Sequence, residues 1–518
     1  MRLHLSLWLI MVAVSLTAAC SSSPAEKDSA PTAVPVRAVT IQPAQPTPAL
    51  KPQLGKLAFV RGGDIWVKDL PDGEARQLTR DGRSRELRWS PSGEWLTFTK
   101  EAGADGAQLW VVRGSGGEPH LVGSTQSAHA FWSPVSDRFA YATQTGVVME
   151  DADGSNRQEI SARVQGDPAW SPDGIWLAYA RMDVPIAPGD RMPGDRRGSI
   201  WRVRADGSDA RLMVDGGSPP PGGFMGGFMV AGWSPSGSHL LYWTNPMFSG
   251  SGLADGSALM ALPVVGGQPR ELAKGMLLHR DFLSWSPSGR ELVLVDGSCR
   301  STWYRKHLAV SDLSGLAQLL SEPSRSDLFP SWSPDGRTIA YTSAPAVETD
   351  GGNEARQASW QRRIWVMQPD GSGKRQLTSD PTYRDERPVW SRDGAYILFG
   401  RMVDDRMQLW LMRPDGLELK QVVDEMSPLP DPPSGWFGYY GYLYWDRMYD
   451  WWQAGGVRPA VSGAAAPTAK ATPTTTGGSP SSPQAASTIS GAIVAPTPGI
   501  GPRETLDQGS VGFAAPGS

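Results

Sequence analysis

Cysteine is almost missing from this chain: among 518 residues only Cys20 and Cys299 carry a thiol. Two thiols exclude a disulfide framework and a cysteine metal site. Histidine is scarce as well. The six copies stand at positions 4, 120, 129, 239, 279 and 307, and no two are spaced to ligate a metal from one element. An excess of one charge is also lacking. The 49 Lys and Arg face 53 Asp and Glu, a formal net charge of -4, which speaks against a nucleic-acid or polyanion partner. Beyond residue 19 no apolar run is long enough to span a bilayer. No window of helical periodicity competes with the short strand-like segments.

What the chain does have begins at its N-terminus. Arg2 is followed by the apolar run "LHLSLWLIMVAVSLTAA" and then Cys20. A basic residue, an apolar core and small residues before a cut are the parts of an export signal. "LTAAC" resembles the lipobox of bacterial lipoproteins. That resemblance implies a signal peptide over 1–19, lipidation of Cys20, and a mature protein anchored to a membrane rather than crossing it. Residues 20–55 and 454–518 are rich in Pro, Ala, Ser, Thr and Gly. Such composition buries too little apolar surface to offset its ordering entropy, so both are expected to be disordered, the first as a tether and the second as a tail.

Between them one phrase recurs. Trp-Ser-Pro-Asp-Gly stands at Trp170–Gly174 and Trp332–Gly336, with Ser in place of Asp at Trp89–Gly93, Trp233–Gly237 and Trp285–Gly289. Looser copies begin at Trp132 and Trp390, and the spacings run from 38 to 63 residues. Around each copy the order is the same: a short strand ending in Trp, a type I turn, a second strand such as "IAYTS", a third such as "RIWVMQ", a second turn, and a fourth such as "KRQLT". Four antiparallel strands repeated many times predict an all-β fold, a β-propeller. The ends complement each other. "KLAFVRGGDIWVKDLPDGEARQLT" supplies second, third and fourth strands without a first, and "GYLYWDRMYDWW" supplies a first strand around Trp445. Joined, they make eight blades closed by N- and C-terminal strands and remove open edges. Seven blades, with the degenerate end packed outside, is the alternative.

The phrase "WSPDG…IAY…IWVM…DGS…RQLT" resembles the WD40-like repeats of TolB-type propellers, also found in prolyl-oligopeptidase-like enzymes. The resemblance covers residues 56–453 and implies the fold; function it leaves open. "GWSPSG" at Gly232–Gly237 has a superficial likeness to a nucleophile elbow, but Ser236 stands where that motif needs Gly, and the stretch reads as a blade hairpin. In the peptidase relatives a hydrolase domain follows the propeller. Here only low-complexity sequence follows Gln453, which points away from a serine hydrolase. "DADGSN" and "PDGSGK" read as turns rather than calcium loops, because they lack the downstream bidentate Glu. No catalytic residue, metal or cofactor is expected, and Cys299 reads as a plain loop or buried thiol.

The long insertions, at 181–199, 214–232, 244–257 and 343–363, all fall between second and third strands or between fourth and first. One face of the ring is therefore elaborated and the other trimmed, and a binding site is expected on the elaborated face. Just before each Trp the inner strand enters the channel mouth. There stand Glu86, Asp167, Asp281, Asp327, Asp385 and Glu386, interleaved with Arg83, Arg85, Arg163, Arg280, Arg325, Arg384 and Arg387. Two readings follow: a charged mouth that binds a peptide, sugar or cation, or salt bridges between neighbouring blades. The expectation for the whole is a non-enzymatic binding or scaffold protein, lipid-anchored in the bacterial cell envelope and facing periplasm or exterior, whose partner is another envelope protein, a peptide or a glycan. The alternatives are a carbohydrate- or peptide-processing enzyme using the mouth carboxylates, and an envelope sensor or assembly partner.

Overall fold

A computed structural model describes residues 53–102, 107–125, 130–161, 164–182, 198–216, 225–246, 256–349, 351–404, 406–426 and 440–455. The expected signal peptide, Cys20, most of the expected tether, the expected tail from residue 456, Arg163 and much of three long insertions lie outside the described residues.

The strands form eight four-stranded antiparallel sheets, the blades of a β-propeller. Seven are continuous in sequence. Their inner strands are Ser84–Trp89, Phe131–Trp132, Val164–Trp170, Met225–Trp233, Leu283–Trp285, Arg325–Trp332 and Tyr383–Trp390, each ending at a repeat tryptophan. The eighth is composite: Arg76–Gln77, Asp64–Asp69 and Lys56–Arg61 are joined by Tyr449–Trp452 as inner strand. The ring thus closes through its two ends, as expected, but through a different strand. Trp451 pairs with Leu57 as Trp89 pairs with Leu96, and Gly455 has positive φ (84°) four residues on, as Gly93 does (69°) after Trp89. The eighth copy of the phrase is therefore the degenerate Trp451–Gly455. Trp445 lies outside the sheets in a 3-10 turn.

Each letter of the phrase has a task. The Ser hydroxyl accepts the backbone N–H five residues on, as Ser171 does from Trp176 at 2.9 Å and Ser333 from Thr338 at 2.9 Å. Where Asp follows, that hydroxyl donates to it, at 2.6 Å from Ser333 to Asp335. The Gly N–H closes the turn on the Ser carbonyl, 2.9 Å for Gly336 to Ser333, with φ of +73° that favours a residue lacking Cβ. The tryptophans staple blades together. The indole N–H of Trp132, Trp170, Trp233 and Trp390 donates to the carbonyl just before the preceding blade's Trp, on Arg88, Phe131, Ala169 and Ser331, at 2.8–3.3 Å.

The core lies in and between the blades. A second cross-strand rhythm runs through it: Phe59 pairs with Trp66, Phe98 with Trp110, Tyr179 with Trp201, Tyr341 with Trp365 and Phe399 with Trp410. Cations cap the tryptophans, Lys100 at 4.1 Å from the Trp110 ring and Arg401 at 4.7 Å from Trp410. The described insertion of the sixth blade carries a helix, α1 (Gly352–Trp360). Its Ala355 and Ala358 pack on Trp303.

Candidate functional site

The mouth is shaped by a backbone irregularity repeated around the ring. Inner strands shift register between Arg85 and Arg88, Leu328 and Ser331, and Glu386 and Val389. Inside each shift the residue three before the Trp takes a left-handed conformation: Glu86 (φ 55°), Phe329 (φ 52°) and Arg387 (φ 53°). Such φ values strain a residue with a Cβ, and bulges re-aim side chains. In these three blades they re-aim one side chain each. The equivalent residue of the fifth blade, Phe282, sits in a 3-10 turn, Arg280–Phe282, and is fully buried.

What these side chains meet is the chain itself. Residues 440–448, between the seventh blade and the closing strand, form a strap over the mouth. Its first carbonyls are taken from below: Thr302 N–H donates to Tyr440 O at 3.1 Å, and Arg362 and Arg384 donate to Gly441 O at 2.6 and 2.9 Å. Tyr442 stacks on His279 (3.7 Å between centroids, 10° apart) and touches Phe282 and Phe329. Its hydroxyl lies 2.8 Å from both oxygens of Asp281. The Trp445 indole, wholly buried, donates to Glu386 Oε2 at 2.7 Å and fills the space that Gly400 leaves open, where a Cβ would come within 2.5 Å of its ring. Arg447 pairs with Glu86 at 3.3 Å, Asp446 pairs with Arg88 at 3.3 Å, and Met448 O accepts from Val60 N–H.

The six mouth carboxylates are thus engaged internally. Glu386 is buried between Arg362 and Arg384 (2.5 and 2.8 Å). Burial alone would raise its pKa, but the two guanidiniums outweigh it and hold the carboxyl below its ordinary value. Asp385 is gripped through both oxygens by Arg401 at 2.7 and 3.0 Å. Asp327 accepts from the hydroxyls of Ser321 and Ser343, and burial raises its pKa. Burial likewise raises Glu86, against the pull of Arg447. Asp281 is pushed up to about 7, first by burial and then by the nearby charge of Asp446, with Arg387 at 3.8 Å opposing. Asp167 is attracted to Arg280, whose guanidinium donates to the carbonyls of Asp167, Pro168 and Val230.

Of the interleaved cations, Arg325 donates to Ser343 and Arg85 pairs with Glu101, while the strap binds Arg384. The residues that sequence reasoning missed are Arg362, Arg401, Tyr442 and the strap as a whole. Arg362 stands just before the third strand Arg363–Met367 and Arg401 lies on the second strand Ile397–Val403, both outside the stretch before each Trp. Tyr442 and Trp445 read as strand.

No family model matches the chain. A stretch of 118 residues, 22% of the chain, is 35% identical to 23% of the Tol-Pal system protein TolB of Anaeromyxobacter dehalogenans. A stretch of 140 residues, 23% of the chain, is 29% identical to 47% of an uncharacterized protein of Agrobacterium fabrum. A third, of 115 residues, is 31% identical to 14% of dipeptidyl-peptidase 5 of Porphyromonas endodontalis and covers 22% of this chain. The chain spans less than half the length of these curated relatives. Among solved structures, a putative TolB from Agrobacterium tumefaciens is 23% identical, with 49% of this chain and 79% of that one covered and a TM-score of 0.30. Dipeptidyl peptidase 4 of Porphyromonas gingivalis is 12% identical, with 73% and 60% covered and a TM-score of 0.48. The eight four-stranded sheets form a β-propeller, similar in sequence to TolB over 118 residues.

Proposed function

We propose that this chain is a non-enzymatic binding or scaffold protein of the bacterial envelope. It is exported by residues 1–19, anchored through lipid on Cys20, and presents the loop-bearing face of its propeller to a protein or peptide partner. One observation carries the reading. The mouth carboxylates, which a hydrolytic reading would need free and facing a substrate, are held by Arg362, Arg384, Arg387, Arg401, Arg447, Tyr442 and serine hydroxyls of the same chain. A rigid ring whose centre is filled from within offers its loops as contact surface. The stretch similar to a Tol-Pal system protein supports an envelope setting.

The test uses the full chain in membranes. A photo-crosslinking residue at exposed Glu354 on α1, on the elaborated face, is compared with one at exposed Arg337, on the trimmed face. A defined adduct from Glu354 and none from Arg337 is expected. Equal labelling from both, or from neither, rejects the face assignment. Separately, Cys20→Ser should leave the propeller folded and release it from membranes, since a two-chain lipid anchor gives stable attachment. A Ser variant that stays in the membrane fraction after a high-salt wash rejects the anchor.

A further inference from the structure

One contact between neighbouring blades is made at three junctions of the ring and left unmade at a fourth. In the eighth, third, fourth and sixth blades the outer strand begins with arginine: Arg76–Gln77, Arg211–Asp215, Arg270–Met276 and Arg375–Gln376. Arg76 donates across to Gly114 O of the first blade at 2.7 Å, Arg270 to Ser314 O of the fifth at 2.8 Å, and Arg375 to Pro414 O and Asp415 O of the seventh, both at 3.0 Å. Each acceptor lies in the next blade's turn between third and fourth strands, on the trimmed face. Arg211 of the third blade turns back instead. Its Nε and Nη2 grip the two oxygens of Asp209 at 2.7 Å, and it makes no bond to the fourth blade among the described residues. The corresponding turn of the fourth blade, between Ser257–Pro263 and Arg270–Met276, carries Val264 and Val265, the latter 99% exposed.

Three guanidiniums are gathered at this junction. Trp176 pairs with Arg204 across the third blade and Arg202 pairs with Arg211, so the four side chains share one face of the sheet. The guanidinium carbons of Arg202, Arg204 and Arg211 stand 4.3, 4.8 and 5.6 Å from the centre of the Trp176 ring. The indole attracts cations and offsets part of their mutual repulsion. Two carboxylates are near. Asp209 serves Arg211 through both oxygens and Arg204 by one contact at 3.4 Å. Asp206 attracts Arg204 but spends its Oδ1 on the N–H and hydroxyl of Ser208, at 2.9 and 2.6 Å. Arg202 has no hydrogen bond and no ion pair among the described residues. Burial, and then the charges of Arg211 and Arg204, hold its guanidinium below the ordinary value. It is half-buried, while Arg204 and Arg211 are exposed, so the group is open to a ligand.

We propose that this notch between the third and fourth blades is an oxyanion site that takes a phosphate group. The two oxygens of a carboxylate fill one guanidinium fork, as Asp209 already does on Arg211. A tetrahedral phosphate has oxygens enough for the unspent N–H groups of Arg202 and Arg204 together, and its charge balances the cation that the two carboxylates leave over. A repeated device abandoned at one junction, with cations left in excess, is the kind of local exception that marks a functional site. The notch is separate from the elaborated face and does not rest on the partner proposed for it. A lipid headgroup and a free phosphate share this chemistry. With a headgroup in the notch, the trimmed face turns toward the membrane and the elaborated face is presented outward.

The experiment is equilibrium dialysis of the purified full chain, in nonionic detergent at constant ionic strength, against two radiolabelled probes. Inorganic phosphate stands for the free ion, and glycerophosphoglycerol for a lipid headgroup stripped of its chains. Saturable binding of at least one probe is expected, weakened by about tenfold or more in Arg202→Gln. Arg270→Gln should bind as the parent does, because that arginine is already spent on the fifth blade. Tighter binding of glycerophosphoglycerol assigns the headgroup, and tighter binding of phosphate the free ion. Arg204→Gln is the second variant should the first fold poorly. No binding of either probe, or undiminished binding by a folded variant, overturns the proposal.

Discussion

The indole nitrogen of Trp445 donates to Glu386 Oε2 at 2.7 Å, and neither side chain reaches solvent. That contact joins the strap to the seventh blade, and through Glu386 to the guanidiniums of Arg362 and Arg384. One carboxylate thus balances two buried cations beneath the centre of the ring.

Glu386→Gln should therefore cost stability heavily. Removing one partner of a buried ion cluster leaves uncompensated charge, a loss of about 3 to 5 kcal/mol. Denaturant titration would read it directly. A variant within about 1 kcal/mol of the parent, a typical surface value, would show that the network contributes little.

Trp445→Ala should cost about 3 to 5 kcal/mol by leaving a cavity against Gly400. Trp445→Phe should cost less, because it keeps most of the volume and gives up only the hydrogen bond to Glu386. The order of the two melting points is the check. Equal losses would mean that the hydrogen bond, and not the filling, dominates.

Truncation separates strap from tail. Ending the chain after residue 455 keeps the closing strand, and the composition of what is removed predicts a shift of no more than about 1 °C. Ending it after Tyr440 removes the strap contacts and Tyr449–Trp452, leaving Lys56–Arg61 without its inner neighbour. Such a chain should aggregate or melt many degrees lower. A soluble, cooperatively folding product ending at 440 would show that the ring does not need this closure.

Stability should peak at acidic pH near the ordinary carboxyl values, because these two carboxyls act with opposite sign. Glu386, held below its ordinary 4.5 against burial by its two arginines, contributes stability above that value and loses it as pH falls through its depressed pKa. Asp281, raised to about 7 chiefly by burial, contributes stability below its ordinary 3.8 and loses it as pH rises through about 7. Melting points taken from pH 3 to 9 should fall at the acid end through Glu386 and again between 3.8 and about 7 through Asp281, and Asp281→Asn should flatten only the second fall.

The hairpin glycines test the trimmed face. Gly336 and Gly371 have φ of +73° and +83°, and Val at either should cost about 1 to 2 kcal/mol. At Gly371 the added Cβ would also come within 3.3 Å of the Leu320 carbonyl oxygen. Adducts formed from Glu354 by the folded fraction should be unchanged.

The amino-acid sequence by itself determined the blades. Strand, Ser-Pro-Asp-Gly turn and strand are contiguous, so turn chemistry and alternation write them into one short stretch, and seven inner strands end at the seven expected tryptophans. It also singled out Glu86, Asp281 and Glu386, because they stand just before a repeat Trp. What those side chains do was decided by tertiary structure alone. Their partners lie far away in the chain: Trp445 is 59 residues from Glu386, Tyr442 is 161 from Asp281, and Arg447 is 361 from Glu86. No local periodicity records such pairings. Trp445 looked like one more strand tryptophan because its neighbours Tyr442, Leu443 and Tyr444 have strand propensity. The closing blade takes its inner strand from Tyr449–Trp452, and the aromatic stretch before it packs instead against the inner strands, with Trp445 on Glu386 and Tyr442 on Asp281.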